Sequence, residues 1–221
     1  LYYSRGVHGD RTDVVTIYDF DNLSPIAEIE VPQKIAVLRF RRHVGMLGDN
    51  RHFLVFNMTP AQSVTVVDVE DREFVGEIST PGCAMIMPVA ERDFLMICGD
   101  GTLQLIQLDE QGAEANRERS KKIFEVLEDP VFDRPVPTAT GWLVYTHSGK
   151  AFHVTVDGDD IDIGDDWPLQ GEEEDDQAWR PGGGEFATVH KATGLMYMLM
   201  HKPEEDYTHH DPGTEIWVID V

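Results

Sequence analysis

Several groups of residues in this 221-residue chain are of types that do chemistry. His201, His209, His210 and Asp211, with Glu204–Asp206 among them, collect imidazoles and carboxylates in one stretch, and those are the common ligands of transition metals. The run GEEEDD at Gly171–Asp176 offers the carboxylate oxygens that calcium takes. Trp179–Gly184, WRPGGG, joins an aromatic ring, a cation and a Pro-Gly corner, and Trp and Arg are the usual anchors of protein interfaces. Cys83 and Cys98 are spaced so that neighbouring antiparallel strands could place them face to face. Two buried thiols fit the same spacing, which leaves both readings open.

Most of this chemistry lacks the spacing a reaction needs. The His201–Asp211 ligands are not set by a helix or a hairpin, and the acidic run lacks the alternating ligands and the turn glycine of a calcium loop. No Gly-rich loop leads from a strand into a helix to cradle phosphate. Ser148 and Gly149 do not form a nucleophile elbow, and no Cys-His spacing reads as zinc. The expectation is therefore no catalytic, cofactor-binding or metal residue on this chain. What remains is a docking candidate, Trp179, Arg180, Pro181, Gly182 and Gly183, beside the plainer reading of a loop whose Trp caps the core.

The elements that must position these residues are strands. Val64–Ile78, VTVVDVEDREFVGEI, is a β-branched run ending in Asp68, a turn, and a second strand. The pattern returns at Val14–Pro32, Leu103–Glu110, Phe152–Gly158 and Ile216–Asp220, and Asp19, Asp68, Asp109, Asp157 and Asp220 close the corresponding strands. A carboxylate there can take the amides of the turn, so these aspartates read as turn clamps rather than catalytic groups. Around each lie more strands: HFLVFNM, QSVTVVDV and REFVGEIS; then CAMIMPVA, DFLMICG, TLQLIQL and SKKIFEVL, with Asp109–Arg119 as a charged insertion able to form a helical turn; then PVPTATG, WLVYTHSG, KAFHVTV and DDIDIGDD; then GEFATVHKATG, LMYMLMHK and TEIWVIDV. A four-strand unit recurring at roughly 40 to 60 residues with almost no helix predicts an all-β fold, a β-propeller of four-stranded antiparallel blades. The repeated order of strand types argues against a sandwich.

Net charge is −23 with pI ≈ 4.5, which disfavours nucleic acid and anionic lipid because both need Lys and Arg. The one basic cluster, Arg39, Arg41, Arg42 and His43, reads as a solvated loop before a docking patch. No run approaches the roughly 18 to 20 apolar residues that span a bilayer. Leu1 is not Met and both ends fall within strand-like sequence, so residues 1–221 are expected to be a single propeller domain, partial at both ends, an arc of about four to five blades.

Several stretches resemble the heavy subunit of the tryptophan tryptophylquinone amine dehydrogenases, the methylamine and aromatic amine dehydrogenases. They are SRGVHGDRTDVVTIYDFDNLSPIAEIEVP at Ser4–Pro32, the Cys83–Cys98 segment with DGTL at Asp100–Leu103, GWLVYTHSGKAFHVTV at Gly141–Val156, and WRPGGGEFATVH at Trp179–His190. The resemblance implies a seven-bladed ring and a Cys83–Cys98 disulfide. It also implies a periplasmic complex of two heavy and two light chains, with the quinone cofactor on the light chain and none here. Catalysis, a primary amine going to an aldehyde plus ammonia, would belong to the light chain, and electrons would pass to a copper protein or cytochrome. This chain alone would be inactive. Gly184 stands where the family motif has a second Trp, and Thr146 where it has Pro. The competing expectation is a stand-alone binding propeller, and a weaker one is a metal-dependent propeller hydrolase.

Overall fold

β-Branched and methionine-rich runs form the centres of small antiparallel sheets. The computed structural model describes residues 1–33, 41–170, 178–203 and 209–221. Residues Leu1–Gly99 with Leu103–Arg119 form one unit, and Asp100–Thr102 with Ser120–Val221 a second.

The first unit holds three meanders. The first comprises β1 (Tyr2–Tyr3), β2 (Arg11–Tyr18) and β3 (Pro25–Val31). The second comprises β4 (Val44–Met46), β5 (His52–Asn57), β6 (Ser63–Asp68) and β7 (Glu73–Ser79). The third comprises β8 (Cys83–Pro88), β9 (Asp93–Cys98), β10 (Leu103–Leu108) and β11 (Glu114–Arg119). Every residue of β6 is buried. A strand covered on both faces needs no polar alternation, which is why SVTVVD and LQLI read as continuous runs. Val64, Val66, Leu54, Phe56, Ile86, Phe94, Met96 and Ile106 pack into one core.

The recurring aspartate works as a clamp where its contacts are visible. Asp68 Oδ1 accepts the amides of Glu70 and Asp71, both at 2.9 Å, and Arg51 Nε donates to Oδ2 at 2.5 Å. Asp19 accepts the amides of Asp21 and Asn22, and Asp109 those of Gln111 and Ala113. Asp49 does the same for Arg51 and His52 and also receives His52 Nδ1 at 2.6 Å. Burial alone would raise the Asp68 carboxyl. The Asp71 amide, the Arg51 guanidinium and the Glu70 amide outweigh it and hold the carboxyl below its ordinary 3.8. Its contribution is therefore complete above the unfolded carboxylate value and is lost as pH falls through the lower folded one. Asp68→Ala should cost about 1–3 kcal/mol at neutral pH, because two turn amides lose their acceptor. Urea denaturation at pH 7 and again at about pH 3 checks it, and the difference between variant and parent should shrink in acid.

One expected strand is corrected. The fourth strand of the third sheet is Glu114–Arg119, not Ser120–Leu127, and the charged segment after Asp109 is no helical turn. Asp109 N donates to Ala113 O, and the Ala113 amide donates back to Asp109 Oδ1, across a turn in which Gly112 has φ +80°, so the chain reverses early. Edge strands open to water tolerate charge, so EANRER pairs with β10 despite its polarity. Cys83 and Cys98 lie directly opposite in β8 and β9, with Cα atoms 4.0 Å apart, and are joined as a disulfide.

The second unit holds two sheets. One comprises β12 (Val136–Pro137), β13 (Trp142–Tyr145), β14 (Lys150–Asp157) and β15 (Asp160–Ile163), with β16 (Trp167–Pro168) also on β14. The other comprises β17 (Arg180–Pro181), β18 (Ala187–His190), β19 (Leu195–His201) and β20 (Glu215–Asp220). Strand β19 is central: β17 and β18 pair with it over separate stretches, and β20 pairs along its length. Phe132, Tyr145, Trp179, Phe186, Met196, Met198 and Met200 belong to this unit's core.

Candidate functional site

The WRPGG segment is built into the second unit's core at the point where β17 leaves β19. Gly182 N donates to Leu199 O at 3.2 Å, the chain bows out, and Leu199 N returns to Phe186 O at 2.7 Å before β18 begins. Trp179 is 9% exposed. Its ring lies 5.6 Å from that of Trp217, with the Lys202 ammonium 5.2 Å above it. Its carbonyl accepts Gln170 Nε2 at 3.1 Å, and the same amide nitrogen donates to Ser148 O at 2.8 Å. Pro181, Gly182 and Gly183 are buried, and Arg180 is half-buried. A Cβ at Gly182 would overlap the His201 ring and come within 2.8 Å of the Asp211 carbonyl oxygen, so only glycine lets these pieces meet. Trp179 is thus core rather than surface, and the accessible parts of the segment are Arg180, Gly184 and Glu185.

Arg180 opens onto a cavity of about 580 Å³ that it shares with Asp129, Phe132, His147, His201 and His209. The side chain of Leu127 at its rim is 97% exposed. Phe132 and His147 rings are 4.2 Å apart, His147 and His209 4.7 Å, and His209 and His210 4.2 Å. Asp129 is committed to Ser148, taking its amide at 2.8 Å and its hydroxyl at 2.6 Å. Burial first, then the His209 ring, pushes the His147 imidazole below its ordinary 6.5, against an upward pull from Asp129 and Asp133. His209 is lowered by burial, then by His210 and Arg134. At neutral pH the cavity therefore offers two neutral imidazoles, an aromatic ring, a guanidinium and a hydrogen-bonded carboxylate. That set suits recognition of a mixed polar and apolar surface.

Among the described residues no group of three or more His, Cys, Asp or Glu side chains could hold an ion. His201 is buried on β19 and His210 is exposed. The histidine that joins His209 is instead His147, just past β13, which sequence reasoning passed over; its only sign was a place in the GWLVYTHSGK motif. Arg41–His43 form a single 3-10 turn, and His43 is buried against Phe56 at 5.3 Å. Arg39, the acidic run Gly171–Asp176 and Glu204–Asp206 lie outside the described residues.

Comparison with known proteins bears on what this arrangement serves. The family model described as methylamine dehydrogenase heavy chain (MADH) matches residues 1–221. The methylamine dehydrogenase heavy chain of Methylophilus methylotrophus is 28% identical over 99% of this chain and 54% of its own length. That of Methylobacillus flagellatus is 29% identical over 99% of this chain and 55% of its own length. The chain thus spans about half the length of these relatives. Among solved structures, the β-propeller domain of Myceliophteria thermophila Cps50 (Swd1) matches 80% of this chain and 52% of its own, with TM-score 0.50 and 13% identity. That likeness shows the fold: the antiparallel sheets are those of a β-propeller.

Proposed function

The chain belongs to the methylamine dehydrogenase heavy chain family, and from that premise we propose that it is the propeller scaffold of a periplasmic quinoprotein amine dehydrogenase. The observation that carries this reading is the family match along all 221 residues. In the proposed assembly the chain pairs with a second heavy chain and docks a small light chain bearing tryptophan tryptophylquinone. That cofactor supplies the two-electron oxidation of a primary amine to an aldehyde and ammonia, and the electrons leave to a copper protein or cytochrome.

The quinone is made from two covalently joined tryptophans of the light chain. The paired tryptophans of this chain are a different object. Trp179 and Trp217 ring centroids are 5.6 Å apart, and Trp217, half-buried against the core, donates Nε1 to Glu215 at 3.2 Å. This chain's residues therefore have docking and shielding to do. We place the docking face at the cavity beside the buried Pro181, where Leu127 at the rim offers apolar surface and Arg180 a charge. Gly184 is exposed where the family motif carries Trp, which removes one large anchor and should loosen or reshape the contact. The Cys83–Cys98 disulfide supports an oxidising compartment.

Coexpression with a small, cysteine-rich protein, if the neighbouring reading frames encode one, tests the reading. The expected result is a complex with quinone absorbance that reduces a dye when amine is added, while this chain alone stays inactive. Arg180→Ala should weaken copurification about tenfold, as loss of an interface arginine does. Failure of the two chains to associate would leave a stand-alone binding propeller.

A further inference from the structure

The Phe132, His147, His209 and His210 rings form one column with centroid spacings of 4.2, 4.7 and 4.2 Å and tilts of 34°, 36° and 46°. It ties together segments far apart in sequence, the end of β13 and the loop before β20. The same loop is fastened to the glycine corner: Gly183 N donates to His209 O at 3.3 Å, and Asp211 O lies against the Gly182 Cα. Neutral imidazoles stack in this way without penalty. Two imidazoliums at such spacing repel, and partial burial weakens the screening.

The carboxylates facing the column, Asp129 and Asp133, offset that repulsion only in part. Asp129 is engaged by the Ser148 amide and hydroxyl, and Asp133 by Arg134 Nη1 at 2.7 Å. Arg134 and Arg180 add positive charge from the neighbouring segment and from β17, and His201 on β19 lines the same cavity. Glu128 lines the cavity, and Asp211 follows His210 on the loop itself.

We propose that this column is a pH-operated clasp: with neutral imidazoles it holds the His209–Asp211 segment on the Gly182–Gly183 corner, and protonation releases the segment and opens the cavity beside Arg180. The direction follows from the lowered protonation of His147 and His209 when packed. The released form takes up protons at the ordinary value, so closure is complete above about pH 6.5 and weakens as pH falls below it. The clasp stands on this chain's own geometry and does not depend on the proposed enzyme.

Hydrogen exchange at the Gly183 amide of the intact protein, corrected for the intrinsic chemical rate, reads the clasp directly. Protection should fall about tenfold or more between pH 7.5 and pH 5, while the amides of β6 keep theirs. In the His147→Gln/His209→Gln variant the Gly183 profile should be flat over the same range. A flat profile in the parent, or the same fall in the variant, overturns the proposal. Histidine Cε1–H resonances give an independent reading should the variant fail to fold: His147 and His209 must titrate below about pH 6.5, and titration of either above that value overturns the clasp.

Discussion

Reducing or deleting the Cys83–Cys98 bond should cost about 3 kcal/mol, the loss expected for a closed loop of some fifteen residues. The bond joins two strands already paired in register, so little native order depends on it, and its main effect is on the unfolded chain. Cys98→Ser should cost more than Cys98→Ala. Both cysteines are nearly excluded from solvent, and burying a serine hydroxyl there costs more than burying a methyl group. The check is the urea midpoint with and without reductant, together with mass spectrometry of unreduced peptides. Linked Cys83 and Cys98 peptides and a midpoint that drops on reduction are expected. Two free thiols, or a midpoint indifferent to reductant, would refute both the bond and the support it lends to an oxidising compartment.

The parts of the fold that were legible in sequence are those where one residue type answers to one physical demand. Runs such as SVTVVD and WLVY are continuous because both faces of their strands are covered, and they mark sheet centres. Asp68 and Asp109 were legible as clamps because a short carboxylate at a strand end has two turn amides within reach. The edge strand Glu114–Arg119 was not, because an edge needs no apolar residues and its pairing with β10 leaves no trace in composition. The WRPGG motif was visible as a feature, but its burial was not: Trp179 faces Trp217 only because β19 pairs with β17 and β20 along its length. The meeting of His147 with His209 is a product of packing between two sheets, and no spacing within either segment announces it.

Phe186→Ala should produce the largest loss in the second unit, about 3–5 kcal/mol, which is a large share of a typical domain's net stability. Phe186 is 2% exposed and stands edge-on to Phe132 at 4.9 Å and to Tyr145 at 5.8 Å, with the Arg134 guanidinium 5.7 Å from its ring centre. Tyr145 in turn holds the chain before β12 through its hydroxyl, which donates to Arg134 O at 2.6 Å. Truncation therefore leaves a cavity bounded by rigid aromatic rings and strand backbone, a site that cannot collapse. Phe186→Leu, which keeps most of the volume but no ring edge, should recover all but about 1–2 kcal/mol. The change also reaches the site. Phe132 loses the ring that fixes its tilt, and Phe132 is the first member of the column that carries His147 and His209. Denaturant melts of both variants measure the stability, and the pH profile of Gly183 exchange measures the column. A loss below about 1 kcal/mol for Phe186→Ala would show that the cluster relaxes around the gap. A full loss with an unchanged exchange profile would show that Phe132 is held by its remaining neighbours, Tyr145 and His147, and that the column keeps its geometry without Phe186.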